Sequence, residues 1–375
     1  MSGLLHFDRT DKDPEGSTAA SPLTKKKNPS PYATMLYDLD KLLPPDRESF
    51  GLFSDPYARM IYIEPRMGAN RGTFWFNQRM DEGNFTEKEV RLLQFLAKTK
   101  VATRNQLHHA IHPDSDNTSR TTDFLKKCKN AGIITTFSWI SPLRLKEAVD
   151  RKKPMIYGLT KAGAEAVAYL TQQKLNPKLF FTPVTYTPGN EPEMKDIFTD
   201  LIAAQLYNEL IKLDRLIDWK KDLRIHISSE EIFVPYVAFD VIKDNNQFVH
   251  FWLEVFRNST NWEEKYKARF AKMQRAYNLL PEDQQPNRII IVVDGYSRIQ
   301  PLWEIAQQVM PDITVRFTTD EKLIAGIDKF TFLDYHPEQE KLVPKYIAYL
   351  LPDFSGMKAT EHFKMIYTSV DDYEY

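Results

Sequence analysis

The sequence has one cysteine, Cys128, among 375 residues, and it has no long apolar run. A single cysteine excludes a disulfide framework within the chain and a cysteine-based metal site, which indicates a reducing compartment. The longest apolar stretches, at 289–293 and 346–351, fall far short of the roughly 20 residues that a membrane helix needs. The first residues turn acidic and polar without a basic start, so no export signal is predicted. We therefore expect a cytoplasmic protein without a membrane span.

Signatures of nucleotide hydrolysis and of metal-dependent strand transfer are also missing. The segment GLTKAGAEA at 158–166 lacks the Lys-Ser/Thr pair of a phosphate loop, and no GxGxxG follows a predicted strand. No His-apolar-His strand is present, and none of the 18 tyrosines stands out as a nucleophile. His108 and His112 are four residues apart, but His109 replaces the glutamate of a zinc-protease helix and no third ligand is evident. No metal site is predicted at these histidines.

Charge is unevenly distributed along the chain, although the net charge is only −1. Residues 86–174 carry 16 Lys+Arg against 8 Asp+Glu, a net of +8, whereas residues 175–375 carry 23 against 31, a net of −8. Clustered positive charge attracts a phosphate backbone. We therefore expect a phosphate-binding surface in residues 86–174.

Residues 86–174 contain three helix signals followed by a hairpin signal. The helix boundaries are marked by caps and stop residues, namely Thr86 with Glu89, Thr103, Pro113, Thr118 and Gly132. Two apolar strands at 133–140 and 154–159 flank a basic loop, and Thr160 caps a fourth helix. This order predicts a winged helix-turn-helix domain, a fold that binds DNA.

The remaining residues predict a second domain with flanking segments. Its element signals are a helix at 193–213, strands at 222–227, 233–242 and 248–256, a helix at 261–279, a strand at 288–294, a helix at 299–309 and a strand at 313–317. The order αβββαβ is that of a mixed-sheet, restriction-endonuclease-like fold, so the fold class expected is α+β or α/β. The other predicted segments are a disordered arm at 1–30, an irregular segment at 31–85, a linker at 175–192, the second domain at 193–335 and a C-terminal extension at 336–375.

The third helix carries polar and basic residues opposite its apolar side. Lys and Arg attract phosphates, while Asn, Ser and Thr can contact base edges in the major groove. Long cations on the hairpin loop can follow the backbone or the minor groove. The predicted DNA-binding residues are Ser119, Arg120, Thr122, Lys126, Lys127 and Asn130 on the helix, and Arg144, Arg151, Lys152 and Lys153 on the loop.

Two carboxylates on consecutive predicted strands offer an alternative, catalytic interpretation. Asp240 and Glu254, with Lys265 behind them, could hold Mg²⁺ and assist a nuclease reaction. Phe256 stands where a lysine commonly follows the glutamate, and it offers nothing to water or metal. The competing interpretation is a buried Glu254 that pairs with Arg257 or Lys265 and only stabilises the fold, so no cofactor is expected.

Six motifs between residues 85 and 295 carry a family resemblance. They are FTEKEVRLLQFLAKTKVATRNQL, KNAGII, YGLTKAGAEAV, WKKDLRI, VPYVAFDVI and LEVFRNST. In these motifs the chain resembles the replication-relaxation proteins of plasmids and integrative elements. That family tends to show Pro-Asp at one strand and Glu-x-Asp-Arg-Gly-Thr at the next. Here Tyr236 and Phe256 occupy the Asp places, whereas Glu254, Arg257 and Thr260 remain.

The resemblance implies a DNA-binding role in plasmid replication or mobilisation, with an incomplete nuclease-like domain. We expect double-stranded DNA as the partner, with replication or conjugation proteins and a second copy of the chain as further candidates. Two alternatives stay open: a Mg²⁺-dependent nicking nuclease and a transcription regulator. The protein is expected not to be an enzyme unless Asp240 and Glu254 bind a metal.

Overall fold

The structure is a computed structural model that describes residues 51–56, 58–62, 71–140, 153–182, 192–244, 247–257, 259 and 261–371. The predicted arm at 1–30 lies outside these residues, as do most of the hairpin loop and half of the predicted linker. In the described ranges no helix has the length and apolarity needed to cross a membrane.

Residues 71–182 are here called the helical half, and their described part contains five α-helices and, with a preceding strand, a four-stranded sheet. The elements are β1 Arg59–Tyr62, α1 Arg71–Asp81, α2 Glu87–Thr99, β2 Val101–Thr103, α3 Arg104–Ile111, α4 Thr118–Ala131, β3 Ile134–Ile140, β4 Ile156–Leu159 and α5 Lys161–Thr171. The sheet order is β1-β3-β4-β2, with every pair antiparallel. The predicted order of helices and hairpin is therefore present, but the segment predicted to be irregular, 31–85, contains β1 and α1.

Local capping explains why the helices begin and end where the sequence predicts. The Thr86 N–H donates to the Glu89 carboxylate at 3.1 Å, and the Thr103 N–H donates to the Gln106 side chain at 2.9 Å. These bonds satisfy backbone groups that a helix start leaves unpaired. Helix α4 differs by one residue from the prediction, because the Asn117 side chain accepts from the Ser119 N–H at 3.0 Å and acts as the cap.

Residues 192–371, here called the sheet half, are built around a seven-stranded mixed sheet. Its elements are α6 Met194–Lys212, β5 Leu216–Lys220, β6 Ile225–His226, β7 Ile232–Phe233, β8 Val237–Asp244, β9 Gln247–Val255, α7 Trp262–Leu279, β10 Arg288–Val293, α8 Ile299–Val309, β11 Val315–Thr319, α9 Asp320–Ala325, β12 Leu333–His336, β13 Lys341–Pro344 and α10 Ala359–Asp371. The strand order is β13-β12-β11-β10-β9-β8-β5. Strands β9, β10 and β11 run parallel, and the other neighbours are antiparallel.

Two strand predictions need correction. The first strand of the large sheet, predicted at 222–227, lies at Leu216–Lys220, and only Ile225–His226 of the predicted segment is extended, in a separate pair with β7. Trp219 fixes the position of β5, because its buried ring packs on Tyr207 and Phe239 at centroid distances of 5.1 and 5.5 Å. The sheet also extends beyond the predicted end at residue 335, since β12 pairs with β13.

The two halves share a hydrophobic core. Trp139 of β3 packs against Phe198 of α6 with ring centroids 5.1 Å apart, and both side chains are buried. A second cluster lies on the opposite face of the large sheet under α7 and α8, and a third fills the helical half. The shared core joins β3 and β4 of the helical half to the large sheet.

Candidate nucleic-acid interface

Helix α4 is held by its apolar side and exposes its polar side. Thr121, Leu125 and Cys128 are buried, and burial raises the pKa of the Cys128 thiol to about 12. Gly132, at φ 89°, ends the helix in a left-handed conformation that suits glycine. The exposed positions agree with the helix phase predicted from the sequence, and they are Ser119, Arg120, Thr122, Lys126, Lys127 and Asn130.

The exposed cations of α4 differ in how they are paired. Within the described ranges, the Arg120 and Lys126 side chains form no hydrogen bond or ion pair. Lys127 lies 3.5 Å from the buried Glu89 carboxylate. The Thr122 hydroxyl accepts from Arg104 at 3.2 Å, so α3 adds a cation to this face that sequence reasoning did not select. The face therefore presents positive charge that the protein itself only partly neutralises.

Two of the three histidines near α4, His108 and His112, serve as hydrogen-bonding groups. His108 Nδ1 and His112 Nδ1 lie 2.6 and 3.1 Å from the Thr121 hydroxyl, and His108 Nε2 bonds the Ser115 carbonyl. Burial is the main cause that lowers the pKa of His112 below its ordinary value. No group of three metal-ligating side chains occurs in the part of the chain that the structure describes. The histidine cluster instead links α3 to the first turns of α4.

Only one of the four predicted loop cations falls in the described ranges. Lys153 is half-buried, and its Nζ lies 5.8 Å from the centroid of the Trp139 ring. Arg144, Arg151 and Lys152 lie outside the described residues. Their contact with DNA stays a prediction.

The structure does not bring together Asp240, Glu254 and Lys265. Asp240 pairs in register with His250 across β8 and β9, four residues along the strand from Glu254, which is about 13 Å at the usual rise of a strand. The Asp240 carboxylate lies 2.6 Å from His250 Nδ1. Lys265 is exposed and donates to Ser259 at 3.3 Å. Each of the three side chains thus has a different partner.

Glu254 pairs with an arginine that the sequence interpretation did not select. Its carboxylate, buried at the end of β9, accepts two hydrogen bonds from Arg269 at 2.7 and 3.1 Å and one from the Tyr236 N–H at 3.2 Å. Phe256 is fully buried against Trp262 and Tyr266. The predicted partners are engaged elsewhere, because Arg257 pairs with Asp320 at 3.1 Å. Glu254 is therefore neutralised within the fold.

A second buried carboxylate near the start of β8 is also neutralised by cations. Asp200 of α6 accepts from Lys221 and from the Tyr236 hydroxyl, and Lys100 Nζ lies 3.2 Å away. Burial alone would raise the pKa of Asp200, but the ammonium groups of Lys221 and Lys100 hold it below its ordinary value. Sequence reasoning missed this cluster, since its members are distant in the chain. A metal ion would have to compete with two ammonium groups for one carboxylate.

The chain is a mixed α+β protein with a cationic helix on one half and a seven-stranded sheet in the other. The sequence model of the family described as replication-relaxation matches residues 93–276, from within α2 to within α7. This segment is just under half of the chain, and through it the protein is similar to the replication-relaxation family. The match indicates a role in plasmid replication or mobilisation. No curated protein and no solved structure matches the chain significantly.

Proposed function

We propose that this protein binds duplex DNA through α4 and acts in that bound state during plasmid replication or mobilisation. The observation that carries the proposal is the outward face of α4. It combines two unpartnered cations, Arg120 and Lys126, with neutral groups suited to base edges. Unneutralised cations attract phosphates, and amide or hydroxyl groups can recognise bases in the major groove.

The surrounding elements support a winged helix-turn-helix assignment. Strand β2 pairs with β4, and β4 pairs with β3, so a three-stranded antiparallel sheet stands beside α2, α3 and α4. In this class of fold the third helix enters the major groove and the hairpin loop contacts the backbone. The loop between β3 and β4 carries the cations predicted from the sequence, which fits a contact that adds affinity more than sequence choice.

The proposed role of the sheet half is to support the DNA-binding half rather than to cut DNA. Its order α6-β5-β8-β9-α7-β10 matches the αβββαβ order of the restriction-endonuclease-like fold. Tyr236 and Phe256 lie where that kind of site needs a carboxylate and a lysine, and Glu254 is bound by Arg269. A second copy of the chain or replication and conjugation proteins remain predicted partners of this half.

The test is an equilibrium titration of the full chain with labelled duplex DNA at several salt concentrations. Each phosphate contact should add about −0.9 to the slope of log K against log salt. We expect binding that weakens steeply with salt, and tighter binding to a duplex from the parent replicon than to a random duplex. Absence of binding, or binding independent of salt, would contradict the proposal.

Magnesium provides a separate test of the sheet half. Incubation with supercoiled DNA and Mg²⁺ should leave the plasmid intact, because Glu254 is bound by Arg269 and Asp240 is bound by His250 at a different place on the sheet. Nicking that requires Mg²⁺ and disappears in Glu254→Gln would make the protein a nuclease.

A further inference from the structure

We propose that helix α1 is a second DNA-contacting element, and that α1 and α4 together form a cationic groove for the phosphate backbone of one DNA strand. This inference rests on the proposed function and adds an element to its interface. Helix α1 precedes residue 93, so it lies outside the segment that matches the family.

Close packing fixes α1 beside the end of α4. A Cβ atom at Gly72 would come within 2.6 Å of the Ala162 Cβ and within 2.7 Å of the Gly132 carbonyl oxygen, so only glycine allows this approach. The Phe76 ring is buried and lies 5.0 Å from the Phe85 ring. These contacts make α1 a fixed wall next to α4.

Further contacts join α1 to α5. The Thr73 hydroxyl donates to the Glu165 carboxylate at 2.8 Å, and the Phe76 ring packs edge-on against Tyr169 at 5.6 Å. Helix α1 is thereby held at both its first turn and its middle. A ligand seated between α1 and α4 would meet a preformed surface, which lowers the entropy cost of binding.

The groove between the two helices carries net positive charge. It has a volume of about 410 Å³ and is lined by Arg71, Trp75, Asp123, Lys126, Lys127, Asn130 and Ala131. Three cations and one carboxylate line it, and with Lys127 counted as paired with Glu89 the net charge is still +1. Arg71 is exposed and has no hydrogen-bonding or ionic partner within the described ranges. Its charge is therefore available to an anion.

The chemistry of the lining favours a phosphate backbone over an extruded base. A base would need a free aromatic face, but the Arg79 guanidinium lies 5.1 Å from the centroid of the Trp75 ring and Phe85 packs edge-on at 6.2 Å. Trp75 thus forms an apolar wall, while Arg71, Lys126 and the Asn130 amide supply donors. Charged donors and an amide suit phosphate oxygens.

Continuity with α4 identifies duplex DNA as the source of the phosphates. Lys126, Lys127 and Asn130 line the groove and also belong to the α4 face proposed to contact DNA. A strand that passes α4 would therefore place phosphates close to Arg71. Because phosphates carry no sequence information, this contact should add affinity to every duplex equally.

The experiment compares Arg71→Ala, Arg71→Lys and a matched control in the full chain. The control is Arg224→Ala, which removes an exposed, unpartnered arginine from the sheet half. Binding to specific and random duplexes is titrated over several salt concentrations, and melting temperature is recorded for each variant. We expect Arg71→Ala to weaken binding to both duplexes about tenfold and to reduce the magnitude of the salt slope by about 0.9, the loss of one phosphate contact. Arg71→Lys should keep most of the affinity, and all melting temperatures should be alike.

Two results would overturn the inference while leaving the proposed function intact. One is an Arg71→Ala protein that binds like the Arg224→Ala control while Lys126→Ala still weakens binding. The other is a loss confined to the specific duplex that Arg71→Lys does not restore, which would indicate a base contact. A wild-type chain that binds no duplex would instead overturn the proposed function itself.

Discussion

The α4 face of the helical half and the sheet half differ in how many of their cations are paired with carboxylates. On α4 of the helical half, Arg120 and Lys126 are exposed and have no partner in the described residues. In the sheet half four arginines are paired with carboxylates, whereas the exposed Arg224 has no partner in the described residues. These pairs are Arg257 with Asp320 at 3.1 Å, Arg269 with Glu254 at 2.7 Å, Arg275 with Glu231 at 2.7 Å and Arg316 with Asp334 at 3.0 Å.

Arg120 and Lys126 therefore keep charge that an anion could meet, whereas the four paired arginines of the sheet half are neutralised by their own carboxylates. A paired cation offers little to a phosphate, since its charge is already screened by its partner. A paired carboxylate likewise offers little to a metal. The family match spans both halves, and the pairing of the cations supports the proposal that DNA binds to the helical half. Substitutions in each half should therefore affect different properties.

The largest expected effect is a loss of stability in the sheet half. Glu254→Gln leaves the Arg269 guanidinium without a countercharge. We expect the free energy of unfolding to fall by about 3 kcal/mol, the lower end of the usual range for breaking a buried pair. The lower end applies because Arg269 keeps its hydrogen bond to the Val234 carbonyl at 2.8 Å. Urea unfolding measures this loss. Asp240→Asn is the control, and its more exposed pair with His250 should contribute less than about 1 kcal/mol.

The same variant tests the absence of a metal site. A bound ion stabilises the folded state increasingly as its concentration rises above the dissociation constant. If the sheet half has no metal site, Mg²⁺ should not raise the melting temperature of the wild-type chain. A Mg²⁺-dependent rise in melting temperature that is lost in Glu254→Gln would contradict this expectation and would show that Glu254 binds a metal ion in the sheet half.

The next effect concerns the packing that positions α4. A Cβ added at Gly163 of α5 would lie 2.2 Å from the Ile133 carbonyl oxygen and 3.1 Å from a Leu159 methyl group. Overpacking of this kind costs about 1–3 kcal/mol, so Gly163→Ala should lower the free energy of unfolding by that amount. Ala166→Gly offers a control for helix propensity in the same helix. If the free energy of unfolding of Gly163→Ala equalled that of the wild type, α5 would have to shift without cost to accept the added methyl group.

The third effect is a loss of affinity without a loss of stability. Arg120→Ala and Lys126→Ala each remove one exposed charge from α4, and each should weaken duplex binding roughly tenfold, the equivalent of about 1.4 kcal/mol. Their unfolding free energies should stay within about 0.5 kcal/mol of wild type, as for most surface substitutions. A large loss of stability in either variant would contradict the exposure of the α4 face.

The smallest expected effect is a pH dependence of stability in the helical half. Burial lowers the pKa of His109 and of His112 in the folded chain. The unfolded chain then binds more protons as pH falls below about 6.5, so stability should be constant above that pH and decline below it. The melting temperature at pH 5.5 measures the decline. It should be smaller in a His109→Gln, His112→Gln double variant, and an equal decline in both proteins would contradict this assignment.

Sequence reasoning succeeded where structure depends on neighbouring residues. The caps at Thr86, Thr103 and Thr160 predict the starts of α2, α3 and α5, because a cap acts within three residues. Helix α1 was missed, since Gly72 near its start indicates a turn by sequence. Only the contact with Gly132 and Ala162, far along the chain, explains a glycine there.

The candidate site shows the same limit. Apolar spacing identified the exposed face of α4, because helix phase is a local property. The partner of Glu254 was misassigned by one helical turn, since Arg269 lies four residues beyond Lys265 and only the packing of α7 on the sheet decides which side chain reaches β9. The Asp200 cluster combines residues from α2, α6, β5 and β8 regions, so no sequence pattern marks it.

Lysine acetylation with and without duplex DNA, mapped by mass spectrometry on the full chain, tests the contrast between the halves most directly. Lys126 and Lys127 on α4 and Lys265 and Lys267 on α7 are all exposed, so one reaction compares both halves. We predict that DNA protects Lys126 and Lys127 and leaves Lys265 and Lys267 reactive. Protection of Lys265 and Lys267, with unchanged reaction at Lys126 and Lys127, would contradict the assignment of DNA binding to the helical half.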